Sequence, residues 1–270
     1  MAVKGRINVR ATMVAIPVLL LAALAGCVTT THGNLASSAS RLERNADALS
    51  RDSRDTRQDY PSGYTRDASE LAELAARERL VLQVGHVERF NPVLSALEAR
   101  LTHPRFIEAH RLSPYPERST DIGVVLDLMI HDLEIILHLV RSPVQSIEAV
   151  GVPVLSRGED IANARLRFES GCIANITSSR ISPERMRKIR VFQEDAYLSL
   201  DYQNQSGEIY RRVDGRITRD KVAVEREEPL KRQLMSFAEC ASTGNAPRVS
   251  GFQATAALEL AVEITKRIQL

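Results

Sequence analysis

The 270-residue chain has no tryptophan, and aromatic residues make up only 4% of it. Its 13 glycines are scattered, no two closer than seven residues. That spacing excludes a G-x-G-x-x-G dinucleotide turn and a G-x-x-x-x-G-K-[ST] phosphate loop. Both need clustered glycines so that backbone N–H groups can approach a phosphate. Cysteine is also scarce. Cys27, Cys172 and Cys240 are too few for a disulfide framework, and their spacing fits no C-x-x-C zinc pattern. Cys172 and Cys240 sit in apolar stretches and read as small core residues. Charge of either sign is not in excess: 36 Lys+Arg face 34 Asp+Glu, a net of +2. This excludes a disordered polyelectrolyte and a basic nucleic-acid binder. The 44% hydrophobic content is ample for one large core or two ordinary ones.

The N-terminus reads as an address. Lys4, Arg6 and Arg10 precede an apolar run from Met13 to Gly26, broken only by Pro17. The run is short for a membrane span and has the order of a signal peptide. It ends in Leu24-Ala25-Gly26-Cys27, which resembles the lipobox of bacterial lipoproteins. That resemblance implies cleavage before Cys27, its acylation, and a membrane anchor facing the periplasm. Val28 in place of aspartate favours the outer membrane. If this N-terminus is foreign to the rest, the cytoplasm is the expected location. Residues 28–67 turn polar, with Leu35, Leu42 and Leu49 at a spacing of seven and alternating Arg and Asp after them. They read as a polar helical stalk or, equally, a solvated linker. Tyr60-Pro61-Ser62-Gly63-Tyr64 is expected to break any helix there.

From residue 68 the texture is that of an α+β domain. Ala68–Arg79 has a helical pattern, Leu80–Val87 reads as a strand, and Asn91-Pro92 opens a helix to Leu101. Arg105–Leu112 reads as a strand, followed by a Pro-rich charged loop and an apolar helix over Gly123–Val140. Strand signals then recur over Val144–Leu155, Ile161–Phe168, Cys172–Ile181, Lys188–Gln193, Tyr197–Tyr202, Glu208–Val213 and Arg216–Val224. Ser170-Gly171, Ser206-Gly207 and Asp214-Gly215 between them are hairpin turns. Pro229–Ser242 and Gln253–Ile268 close the chain as helices. So many consecutive strands imply a large, mostly antiparallel sheet with the helices on one face. The other face carries Arg165, Arg167, Asn175, Thr177, Arg190 and Phe192 and is a candidate homo-oligomer surface.

Two stretches carry polar groups inside apolar surroundings: Val84-Gly85-His86-Val87-Glu88-Arg89-Phe90-Asn91-Pro92, and Leu126-Asp127-Leu128-Met129-Ile130-His131-Asp132-Leu133-Glu134. Asp127 and His131 stand four apart, on one face of a regular helix. A carboxylate beside the imidazole raises its pKa and fixes its tautomer, which suits proton exchange with a substrate hydroxyl. A purely structural Asp–His pair fits the same pattern. A metal site does not, since no third ligand is in reach.

These two stretches, with Pro247-Arg248-Val249-Ser250-Gly251 and Ala257-Leu258-Glu259-Leu260-Ala261, resemble the Gfo/Idh/MocA family of NAD(P)-dependent oxidoreductases. The wording is nearest to members acting on sugars and nucleotide sugars. The resemblance implies that residues 68–92 are the end of a nucleotide-binding domain and 93–270 a substrate and oligomerisation domain. It implies that His131 contacts the reacting hydroxyl and that Asp127 orients it or meets substrate or cofactor ribose. Arg89 and Asn91 fall at the domain junction, and Arg118 and Asp121 on the substrate side.

The chain departs from the family in two ways. No Gly-rich turn exists, and Gln58-Asp59-Tyr60-Pro61 stands where the family carries Glu-Lys-Pro. No lysine lies between Lys4 and Lys188. NAD(P) is therefore the family cofactor but is not expected to bind this chain alone, and turnover by it alone is not expected. The first reading is a catalytically incomplete substrate half of a sugar oxidoreductase, joined near residue 68 to a lipoprotein N-terminus. The second is a lipid-anchored, non-enzymatic module for binding or self-association. The third is an enzyme that borrows its nucleotide-binding half from another chain. Without that half, apolar surface over residues 68–87 is expected to be exposed.

Overall fold

The computed structural model describes residues 12–14, 28–30, 60–115 and 122–268. The signal sequence with Cys27, the seven-residue leucine pattern, Arg118 and Asp121 lie outside them, apart from two short strands. These strands, β1 (Thr12–Val14) and β2 (Val28–Thr30), form an antiparallel pair. The body then runs α1 (Tyr60–Arg77), a 3₁₀ turn (Val87–Phe90), α2 (Pro92–Glu98), β3 (Phe106–Leu112) and a π-helical turn (Val125–Met129) leading into α3 (Ile130–Val140). Seven strands follow: β4 (Val144–Val152), β5 (Ile161–Phe168), β6 (Ile173–Ser179), β7 (Met186–Phe192), β8 (Ala196–Asp201), β9 (Ser206–Val213) and β10 (Arg216–Lys221). Helices α4 (Pro229–Thr243) and α5 (Gly251–Arg267) end the chain.

The large sheet has eight strands in the order β10-β9-β8-β7-β3-β6-β5-β4. All its pairs are antiparallel except β3 with β6. The expected α+β architecture is therefore present. Its register follows from alternation, since successive side chains on a strand face opposite sides. Ile107 and Ala109 on β3, Ala162, Ala164 and Leu166 on β5, Ala174 and Ile176 on β6, and Ile189 and Val191 on β7 all point into the core. The alanines on the central strands keep that face shallow, which lets α3 and α5 lie close to it. Asp214 and Gly215 both take positive φ, 49° and 76°, and close the β9–β10 hairpin as the Asp-Gly pair predicts. Ser250 and Gln253 form a reciprocal capping box that starts α5.

Three expectations fail, each for a physical reason. Tyr60–Tyr64 does not break a helix but forms the first turns of α1. Proline is tolerated there because the first-turn N–H groups have no intrahelical acceptor. Leu80–Val87 is not a strand. Its only sheet-like pairing is one antiparallel bridge, Gln83 to Ser250, with Val84 N–H donating to Val249 O at 3.0 Å. A ladder needs a strand running alongside, and its neighbour here is the loop before α5. Third, the apolar surface over residues 68–87 is covered. Ala68, Ala72 and Ala75 of α1 are buried where α1 packs on α5, and Val84 is enclosed with Phe90, Val249 and Ala254. Among the described residues the large exposed apolar side chains lie elsewhere: Tyr115 after β3, Val150 and Val152 on β4 with Val154 and Leu155 beyond it, Val213 and Ile217 at the β9–β10 hairpin, Leu230, Leu234 and Met235 on α4, and Phe252 on α5.

Candidate functional site

The two polar stretches meet. His86, just before the 3₁₀ turn, and His131, in the first turn of α3, face each other with Nδ1 to Nδ1 at 3.2 Å. Their rings meet edge to face, 5.2 Å apart and inclined at 76°. His86 is 1% exposed, whereas His131 keeps part of its surface open. Burial, then the Arg89 and Arg111 charges, push His86 down to about 4. Burial, then His86, Arg111 and Arg187, hold His131 well below the usual histidine range. The expectation of a raised imidazole pKa at His131 is therefore overturned, because burial and nearby cations prevail.

The helical register explains part of this. Asp127 lies in the π-helical turn, where the Ile130 N–H reaches back to the Val125 carbonyl. Bonding five residues apart widens the turn. Asp127 is half-buried at the start of this helix. A π turn inside a helix is itself a frequent mark of functional sites.

Beneath the histidine pair lies a floor of buried, paired charges. Arg111 on β3 grips Asp132 with two bonds of 2.9 Å. Glu88 receives Arg187 at 3.2 Å and lies 3.6 Å from Arg111. Arg89 bonds Glu134 at 3.1 Å and the Arg248 carbonyl at 3.4 Å, while its Nε is buried without a partner. Burial, against the pull of Arg89, raises Glu134 to about 7. Asn91 caps α2 by accepting from the Val93 N–H, and its amide donates to Glu88 and to the Tyr202 carbonyl. Arg89 and Asn91 thus engage internal partners and hold the junction together. Arg187 is different: its side chain is 49% exposed.

The start of the site helix is also occupied. The Glu159 carboxylate accepts from the Val125 N–H at 3.1 Å, and the Glu159 carbonyl accepts from the Val124 N–H at 3.0 Å. A Cβ at Gly123 would run into that carboxylate. Among the described residues no group of three His, Cys, Asp or Glu is placed to hold a metal ion.

Sequence reasoning missed His86, Arg111, Glu88 and Glu159 as parts of the site. The signal for His86 was present, because a histidine between Val84, Gly85 and Val87 needs a buried partner. Arg111 carried a weaker one, a charge at an inward-facing position of a strand.

The GFO/IDH/MocA C-terminal domain profile matches residues 94–199. The UDP-N-acetylglucosamine 3-dehydrogenase of Acidithiobacillus ferrooxidans is 38% identical over 154 residues, 57% of this chain and 49% of that protein. The match thus spans about half the length of that relative. A crystal structure of the same enzyme superposes with a TM-score of 0.72 at 31% identity, covering 76% of this chain and 67% of that one. A probable dehydrogenase from Thermotoga maritima shares the fold at TM-score 0.61 and 20% identity, over 76% of this chain and 68% of its own. With this profile match, this identity and this shared fold, the chain belongs to the Gfo/Idh/MocA oxidoreductase family.

Proposed function

We propose that this chain is the substrate-binding half of a nucleotide-sugar oxidoreductase. The observation that carries the reading is His131, partly open above a floor of paired charges, in a chain 38% identical to a UDP-N-acetylglucosamine 3-dehydrogenase. His131 meets the reacting sugar oxygen through Nε2 and takes part in moving its proton. Asp127 orients the sugar from the π turn, and Arg118 and Asp121 line the substrate side. Arg89 and Asn91 act indirectly, by fixing the junction beneath it.

The residues present do not fit NAD(P). The sequence has neither clustered glycines nor the family lysine, and the Glu159 carboxylate occupies the start of the helix that carries His131. Hydride transfer requires a nicotinamide held against the reacting carbon, so no such step is assigned to this chain. Calorimetry of the full chain with UDP-N-acetylglucosamine and with NADH tests the reading. Heat with the sugar nucleotide that is lost in His131→Gln supports it, together with silence toward NADH. Stoichiometric NAD(P) in the purified protein, or sugar dehydrogenase activity, would sink it.

A second reading rests on the uncovered sheet face. Phe106, Phe192, Tyr197 and Tyr210 form a continuous aromatic row across β3, β7, β8 and β9. Such a row suits self-association into a homo-oligomer. Light scattering that finds only monomer at high concentration removes it. In either reading Cys27 is the proposed lipid anchor to the membrane, outer membrane first. A Cys27→Ser protein that stays in the membrane fraction counts against that anchor. Among the described residues no helix is long and apolar enough to cross a membrane.

A further inference from the structure

We infer that His86 is a positioning residue that holds His131 in the tautomer with its proton on Nε2. His131 then meets the substrate oxygen as a hydrogen-bond donor. This deepens the proposed function and rests on it for the substrate, though not for the tautomer. A contact of 3.2 Å between two Nδ1 atoms requires one to carry a proton and the other to be bare. Two cationic rings would set N–H against N–H, and the buried His86 and half-buried His131 both stand beside arginines that disfavour a charge, so both are neutral.

Two arrangements remain. If His131 donates, His86 must carry its proton on Nε2. That atom is buried and has no hydrogen-bond partner. The arrangement leaves a buried N–H orphaned, which proteins rarely tolerate. If His86 donates, its Nε2 is a bare lone pair. Arg89, the charge acting most strongly on His86, has an unpartnered buried Nε–H, and cationic surroundings suit a lone pair better than a second N–H. The second arrangement is therefore favoured. It leaves His131 Nδ1 as acceptor and puts the proton on Nε2, the ring nitrogen His86 does not occupy. Forming the substrate contact breaks no bond to hydrogen. Around the pair, Arg89 and Arg111 are matched by Glu134 and Asp132, and Arg187 by Glu88, with Asp127 on the same helix.

Ring ¹⁵N–¹H correlation spectra of the histidine-labelled full chain read this directly. His131 is assigned from the loss of its signals in His131→Gln. The wild type is expected to show His131 only in the Nε2–H form and His86 only in the Nδ1–H form. In His86→Phe, His131 becomes a tautomer mixture and its titration moves up toward the ordinary value near 6.5. His86→Asn, whose amide can donate, restores the Nε2–H form. An Nδ1–H pattern for His131 in the wild type overturns the inference. So does a His86→Phe protein whose His131 tautomer is unchanged. If His86→Phe does not fold, the wild-type spectrum and His86→Asn decide. None of these spectra needs a substrate, so failure to bind UDP-N-acetylglucosamine would overturn the functional reading and leave the tautomer result standing.

Discussion

The two faces of the central sheet solve opposite problems. On the covered face, under α3, buried charges are matched partner by partner, Arg111 with Asp132 and Arg89 with Glu134, while the half-exposed Arg187 reaches the buried Glu88. On the open face, four half-buried aromatic rings stand in a row, the last of them under Arg219. Generic stability would put the aromatics inside and the charges outside, because burying paired ions seldom stabilises more than apolar packing does. In the proposed function the covered face serves His131, and in the second reading the open face serves contact with another copy.

The sharpest way to break this contrast is to remove one charge from the covered face. Asp132→Ala takes from the buried Arg111 guanidinium its two-bond partner and leaves it only Glu88 at 3.6 Å, and a loss of about 3–5 kcal/mol is expected in urea denaturation. A loss under 1 kcal/mol would mean that the floor is wetter than it looks. Next is pH. His86 titrates near 4 in the fold against 6.5 when free, so the unfolded chain binds more protons between those values. Its contribution, on the order of 3 kcal/mol, is present above pH 6.5 and is lost as pH falls toward 4. His131, lowered by the same burial, adds to it. Glu134, raised from 4.5 to about 7, acts the other way, because its fold binds more protons and loses stability as pH rises through that window. Burial raises Glu159 as well, and it acts with Glu134. Across this window both histidines bind protons in the unfolded chain that they do not bind in the fold, so the urea midpoint should still rise between pH 4.5 and 6.5. A flat or falling profile contradicts the paired neutral rings.

Changes on the open face should be milder for the fold and larger for assembly. Tyr197→Ser removes the middle of the aromatic row, where stacking contributes about 0.5–1.5 kcal/mol per pair. It should lower the melting temperature slightly and abolish self-association in light scattering. The smallest effect is expected of Arg219→Ala. It cuts an exposed pair with Glu208 and should leave the urea midpoint unmoved.

The sheet was legible because alternation and hairpin chemistry are local signals. Ile161–Phe168 alternates without a fault, and Asp214-Gly215 can hardly be anything but a tight turn. Leu80–Val87 was misread because apolar content says that a segment is buried and not what lies beside it. Only the tertiary arrangement decides whether an extended segment gains a ladder. The site was half legible. His131 was visible as a polar interruption of an apolar helix, but its contact with His86 joins residues 45 apart in the chain, which no helical spacing shows. Arg111 and Glu159 come from β3 and the β4–β5 loop, distant in sequence from His131, and their role appears only once the sheet is assembled.

Strand β3 has a further consequence, for the order of assembly. Strands β4 to β6 can pair with their immediate neighbours in the chain, and so can β7 to β10. Strand β3 joins these two meanders, with Phe106 opposite Ile173 on one side and Phe192 on the other. Contacts between distant segments close slowly, because a long loop must first be ordered. On a ribosome β3 must therefore wait, unpaired at both edges until β6 has emerged and at one edge until β7 has. Arg111 rides on this strand, so the charged floor beneath His131 is completed only when the two halves of the sheet are stitched together.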